Sequence, residues 1–197
     1  MENPARTAEH LARLDQRREA LRARLGGVLA PAPRFVWEIG CGHGHFLTAY
    51  ALAHPAVSCI GIDIVRERIE RAERKRERAR LPNLHFLLAE AGMFLEVLPV
   101  NARPTDIFVL FPDPWPKQRH HKHRILQADF LARVAQRAGQ GTRLYFRTDH
   151  APYFQAVREV LQVHPNWRMV EENWPFEELT VFQARAPAYQ SLIAVSK

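Results

Sequence analysis

From Arg34 onward the chain repeats one pattern, a short near-continuous apolar run followed by an amphipathic stretch of helical length. The apolar runs at 34–39, 57–62, 84–88, 106–111, 142–147 and 191–195 read as strands. The stretches 45–53, 65–80, 91–98, 127–137 and 151–163 carry apolar stripes at helical spacing, such as Tyr153, Phe154, Val157 and Leu161. Gly139 and Gly141 interrupt the chain just before a strand, as a helix stop does. Strands that are apolar on both faces and alternate with helices predict an α/β fold, a mostly parallel sheet with helices on both faces. A chain of 197 residues is long enough to bury such a sheet in one unit.

The first 33 residues break the pattern and read as a helical extension preceding a domain at 34–197. Leu11, Leu14, Leu21 and Leu25 recur at intervals close to a heptad. Such a seam covers the domain's own surface, or, less readily for so short a pattern, meets a coiled-coil partner; monomer and homodimer both stay open.

Lys and Arg outnumber Asp and Glu by 28 to 21, giving a net charge of +7 and favouring an acidic partner. The excess is unevenly placed. Residues 66–80 are rich in arginine, but Glu67 to Arg71 and Glu70 to Arg74 are four apart and can pair, so this run reads first as a solvated helix and second as a nucleic-acid face. Lys117-Gln118-Arg119-His120-His121-Lys122-His123-Arg124 holds no acid at all, and its charge must be met by something else. No apolar run approaches a membrane span, and the charged N-terminal segment has no signal-peptide core. Two cysteines at unrelated spacing, Cys41 and Cys59, fit a reducing cytoplasm better than a disulfide framework.

Glu38-Ile39-Gly40-Cys41-Gly42-His43-Gly44 joins the first strand to a helix. Glycines there permit a tight turn and close backbone approach to a ligand lying across the strand ends. The spacing is G-x-G-x-G, and the preceding acid would repel a pyrophosphate. Glu38 suits a cationic ligand such as S-adenosylmethionine, with its ammonium and sulfonium groups. Asp63, nineteen residues past Gly44, stands where an acid can take ribose hydroxyls, or alternatively caps the next helix. Glu90 follows the third strand and is placed to meet an adenine amino group.

The fourth apolar run stops at Phe111-Pro112-Asp113-Pro114-Trp115-Pro116. Three alternate prolines forbid a helix and predict an extended backbone that fixes Asp113 at the strand's end, just before the basic strip. Histidines at 43, 45, 120, 121 and 123 have no cysteine or acid at an established ligand spacing, so no metal is expected. Trp115, Trp174 and Phe182 are either core residues or stacking surfaces for a base.

Taken together, Pro112-Asp113-Pro114-Trp115-Pro116-Lys117, the basic run Arg119 to Lys122, Thr148-Asp149 and Thr180-Val181-Phe182 resemble the bacterial tRNA (guanine-N(7)-)-methyltransferases, from about Phe35 to the C-terminus. The resemblance implies a Rossmann-like class I methyltransferase fold. It also implies methyl transfer from S-adenosylmethionine to N7 of guanosine 46 in the variable loop of tRNA. By the same resemblance Glu38, Gly40, Gly42, Asp63, Glu90 and Asp113 line the cofactor site, and Asp113 is the catalytic residue. Lys117, Asp149, Thr180, Val181, Phe182 and Gln183 would contact the guanosine, with Arg119, His120, His121, Lys122 and Arg124 along the RNA. Gln183 stands where the family usually has Glu, and an amide offers guanine one acceptor instead of a carboxylate's two. Another RNA, a small-molecule acceptor, or RNA binding without catalysis are the competing expectations; the strip disfavours a small acceptor.

Overall fold

The computed structural model describes residues 4–30, 33–178 and 188–197. Helix α1 (Pro4–Leu29) leads into β1 (Arg34–Ile39), α2 (His45–Ala53), β2 (Cys59–Asp63), α3 (Arg66–Ala79), β3 (Leu84–Leu88) and α4 (Ala91–Val97). Strand β4 (Arg103–Leu110), a 3-10 helix (Gln118–His123), α5 (Ala128–Arg137), β5 (Arg143–Thr148), α6 (Ala151–Val163), β6 (Trp167–Val170) and β7 (Gln190–Ser196) follow. The strands form one sheet in the order β3-β2-β1-β4-β5-β7-β6. Pairing is parallel from β3 to β5, and antiparallel where β7 enters between β5 and β6. This is a Rossmann-like sheet. The chain runs outward from β1 to β3, then returns to lay β4 on the other side of β1. That reversal opens a crevice at the carboxyl ends of β1 and β4, where sheets of this kind bind ligands.

Side-chain alternation along the strands divides the core between the two faces. Phe35, Trp37 and Ile39 pack with α1, α4, α5 and α6, and Trp37 stacks on Phe94 at 4.7 Å. Val36 and Phe108 point the other way, toward Phe46, Leu47 and Tyr50 of α2 and Ile69 and Ala72 of α3. On that second face the helices stop short of β5. The chain after β6 takes their place: Trp174 meets Tyr145 at 5.4 Å, Phe176 meets Tyr50 at 5.3 Å, and Tyr145 stacks on Phe108 at 4.6 Å.

The leucine seam of α1 turns inward. Leu21, Leu25 and Leu29 are buried in the main core, each contributing about 1.5–3 kcal/mol of apolar burial. Arg18 ties the same stretch to Glu96 of α4 at 3.3 Å, whereas Leu11, earlier in the helix, remains exposed. The second half of α1 therefore completes the face that α4 leaves open.

Two departures from the sequence pattern have local causes. Strand β6 is only four residues long and contains Arg168, so its apolar pattern is too short to stand out. It exists because β7 offers it an edge and because Trp167 is buried with its indole N–H donating to the Leu131 carbonyl at 2.9 Å. Strand β7 falls where the apolar run at 191–195 predicts a strand, but its antiparallel direction is not legible in local patterning. Among the described residues no helix is long and apolar enough to cross a membrane.

Candidate active site

The turn after β1 is built by three glycines with left-handed backbones, Gly40 (φ 75°), Gly42 (φ 54°) and Gly44 (φ 68°). The N–H groups of Gly40 and Cys41 both donate to the Ile62 carbonyl at 2.9 Å, clamping the turn to the end of β2. The glycines have different reasons to be glycine. A Cβ on Gly44 would lie 2.5 Å from the Phe86 ring and 2.9 Å from Ala72, so this position is closed by packing. A Cβ on Gly40 or Gly42 would meet nothing within 4 Å. Those two face open space, as a ligand floor requires.

Glu38 lies beneath this turn, 4% exposed, with one carboxylate oxygen lacking any hydrogen-bond partner. Desolvation, with the nearby charge of Asp63 adding to it, pushes its pKa up to about 8, against one opposing hydrogen bond from the Leu47 N–H. A buried acid with an unmatched oxygen is costly unless a cation or donor meets it. The donor set thus fits an ammonium or sulfonium ligand and repels an anionic one.

Asp63 is buried at the end of β2. Its carboxylate accepts the Gly42 N–H at 3.0 Å and the Val65 N–H at 2.8 Å, and Arg68 approaches to 3.6 Å. Helix α3 takes Val65 as its N-cap, so Asp63 does not cap it; it braces the glycine turn while each oxygen keeps a further lone pair. Glu90 is exposed at the N-cap position of α4 and makes no side-chain cap bond. Its neighbour Ala89 donates to the Asp63 carbonyl at 3.1 Å, linking the second and third strand ends.

Asp113 leaves β4 at the other lip of the crevice, exposed to solvent. The loop that carries it is not uniformly extended. Phe111 (φ 50°) and Trp115 (φ 44°), each directly before a proline, adopt left-handed backbones that non-glycine residues avoid. The expectation of an extended run is corrected at these two residues, at a cost of about 1–3 kcal/mol each. Contacts on both sides of Asp113 hold them there. The Phe111 N–H donates to the Arg147 carbonyl at 2.8 Å, and Arg124 Nε donates to the Pro114 carbonyl at 2.8 Å.

The basic strip begins at exposed Lys117, which precedes the 3-10 helix. Arg119 and Lys122 are exposed; His120 and His121 are half-buried. Trp115 lies against the strip, 5.8 Å from the His120 ring and 5.1 Å from His123, and so supports the helix from below. Arg124 departs from the strip. It is buried, bonded to the Asp113 loop and set 4.8 Å over the Tyr153 ring, so its guanidinium is engaged within the protein. A sequence strip has no inside or outside; packing on α6 decides that Arg124 faces in.

Asp149 is exposed at the end of β5, between buried Thr148 and His150, whose ring accepts the Tyr153 N–H at the start of α6. Thr180, Val181, Phe182 and Gln183 lie outside the described residues. Sequence reasoning overlooked Arg147. It is buried on β5, stacks 3.8 Å over Trp174 and pairs with Glu177, tying the chain after β6 to the carboxyl edge of the sheet. An arginine placed directly after the apolar run Leu144-Tyr145-Phe146, at the end of a strand, was the available signal. Among the described residues no group of three or more His, Cys, Asp or Glu side chains converges as a metal site would require.

Residues 32–188 match a family model described as "Putative methyltransferase". The chain is similar to a tRNA (guanine-N(7)-)-methyltransferase of Nocardia farcinica, 38% identical over 130 residues, which cover 66% of this chain and 48% of that protein. A protein of the same name from Treponema pallidum is 37% identical over 161 residues, 80% of this chain and 63% of that protein. The chain thus spans about half of the first relative and under two thirds of the second. Among solved structures, a 16S rRNA (adenine(1408)-N(1))-methyltransferase with cosubstrate SAM from Catenulisporales acidiphilia superposes with a TM-score of 0.58. It is 18% identical and covers 89% of this chain and 91% of that one, a likeness of fold.

Proposed function

The chain belongs to this methyltransferase family, and from that premise we propose that it transfers a methyl group from S-adenosylmethionine to N7 of a guanosine in tRNA, position 46 of the variable loop. The observation that carries the reading is Glu38, a buried carboxylate with an unpartnered oxygen under an open glycine turn at the switch point of the sheet. The relatives' names support the acceptor, and the acid-free strip beside Asp113 supports a polyanionic one. A tRNA-modifying role places the protein in the cytoplasm.

When bound, S-adenosylmethionine supplies an electrophilic methyl group: the N7 lone pair takes the methyl carbon while the carbon–sulfur bond pair passes to sulfur, giving 7-methylguanosine and S-adenosylhomocysteine. N7 carries no proton at neutral pH, so no residue has to act as a base. The chain's task is alignment and charge. Glu38 holds the cationic end of the cofactor, Gly40 and Gly42 leave room for it, and Asp63 and Glu90 take its ribose and adenine. Asp113 provides a fixed anion beside the purine as positive charge develops on it, which lowers the barrier electrostatically. Its pinned loop supplies the orientation on which an in-line transfer depends.

Lys117 and Asp149 flank the crevice and hold the guanosine with the segment Thr180 to Gln183. Arg119, His120, His121 and Lys122 bind the RNA backbone, giving affinity and salt dependence while leaving base choice to the crevice. N7 is accessible on the major-groove edge even in paired guanine, so the base need only be uncovered and not fully extruded. The test is transfer of labelled methyl from S-adenosylmethionine to unmodified tRNA with nucleoside mapping. Label in 7-methylguanosine is expected; binding of both ligands with no label, or label in another nucleoside, would sink the reading.

A further inference from the structure

A second charged feature lies outside this crevice. Between α2 and α3 is a hollow of about 510 Å³, lined by Arg71, Arg74, Lys75 and Arg78 together with His43 and His45, against a single acid, Glu77. The ion pairs expected along α3, Glu67 with Arg71 and Glu70 with Arg74, do not form among the described residues. The acids that do pair serve other cations. Glu73 takes Arg76 at 2.9 Å, lies 3.8 Å from Arg24, and also accepts the Phe86 N–H, while Glu77 lies 3.7 Å from Arg76. Arg71, Arg74 and Arg78 are therefore left facing the hollow without a counter-ion among the described residues.

Local electrostatics agree with this geometry. Burial, followed by Arg71, Arg68 and Lys75, lowers the pKa of His43, and burial followed by Lys75 and His43 lowers that of His45. Both imidazoles thus sense an excess of positive charge, opposed by the smaller contributions of Asp63 at His43 and Glu178 at His45. Lys75 donates to the His43 carbonyl at 2.9 Å, using one of its three donors and fixing the floor of the hollow to the glycine turn. The hollow cannot serve the cofactor's cationic end, because its charge has the same sign. Along α3, Arg71 to Arg78 spans on the order of 10 Å, so its cations line a track and not a single point.

We propose that this hollow is a second RNA-backbone site, in which Arg71, Arg74, Lys75 and Arg78 hold phosphates of the same tRNA whose guanosine enters the crevice. The inference rests on the tRNA reading above. The two sites flank the β1 turn from opposite sides: the strip follows β4, and the hollow borders the turn itself at His43. Arginine is suited to the role because its planar fork pairs with phosphate oxygens. Binding divided between two basic surfaces fixes the orientation of a large folded RNA, which one surface cannot do.

The experiment measures tRNA affinity against salt for the wild type, Lys122→Ala, and an Arg71→Ala/Arg74→Ala double variant. S-adenosylmethionine affinity and thermal melting report that each variant is folded. Loss of two phosphate contacts should reduce the log–log salt slope by about 1.4–1.8. Between 50 and 200 mM salt the wild type should then lose roughly ninefold more affinity than the double variant. An unchanged slope in the folded double variant, with a reduced slope in Lys122→Ala, would overturn this inference and leave the tRNA reading standing. Absence of tRNA binding by the wild type would overturn both.

Discussion

Replacing Glu38 with glutamine keeps the shape of the side chain and removes its charge, which isolates the chemistry assigned to it. In the free protein burial holds this carboxyl neutral up to about pH 8, from an ordinary value of 4.5. The unfolded chain loses the proton near 4.5 and the folded chain keeps it until about 8, so folding stability falls as pH rises through that window. At pH 8 the cost approaches roughly 4 kcal/mol as an upper bound, at about 1.4 kcal/mol per pKa unit. Glu38→Gln should therefore melt at a higher temperature than the wild type at pH 8, with the advantage shrinking toward pH 4.5. Cofactor binding has the opposite sign. A cationic ligand needs the ionised carboxylate, so binding at pH 7 should release about 0.9 proton. Affinity should rise about 25-fold between pH 6 and 7.5. The ligand's own ammonium, with an α-amino pKa near 8, is still about three-quarters charged at pH 7.5 and trims that rise only to about 18-fold. Titration calorimetry in buffers of different ionisation enthalpy reads the proton count directly. A wild type that releases no proton, or a glutamine variant that keeps the wild-type pH slope, would refute the assignment of Glu38 to the cationic end.

The remaining predictions concern the loop, the strip and the turn. Asp113→Ala should abolish methyl transfer in single-turnover assays while tRNA affinity stays within about twofold, since its side chain is assigned to charge and alignment and not to phosphate binding. Lys122→Ala should weaken tRNA binding across all sequences and lower the salt slope by about one unit, read by filter binding over a salt series. Arg124→Ala should leave that slope unchanged but destabilise the protein by about 1–3 kcal/mol in urea unfolding, through loss of its bond to Pro114 and its stacking on Tyr153. Gly44→Ala should cost at least about 2 kcal/mol in the same assay, because its left-handed backbone and the Phe86 ring 2.5 Å away both oppose a side chain.

Local patterning by itself determined which parts of the chain become sheet and which become helix. Near-continuous apolar runs can be covered only by burial on both faces, and a glycine turn followed by acids at successive strand ends already marks a ligand edge. The acids themselves were legible for the same reason, since each stands within two residues of the end of an apolar run. What each acid does there was decided in three dimensions. Glu38 lost its solvent to burial, whereas Asp63 acquired the backbone N–H groups of Gly42 and Val65, so two similar acids became a carboxyl that keeps its proton until a cation meets it and a brace. The strip divided in the same way. Lys122 and Arg124 are equivalent in sequence, yet one is exposed and the other is buried over Tyr153, a residue that only the docking of α6 brings near. Strand β6, the antiparallel β7 and the uncompensated arginines of α3 likewise depend on partners distant in the chain. Burial tendency is written residue by residue, while pairing depends on register and topology. Local pattern therefore marked the candidate ligand edge, and only tertiary packing decided which charges there are already satisfied.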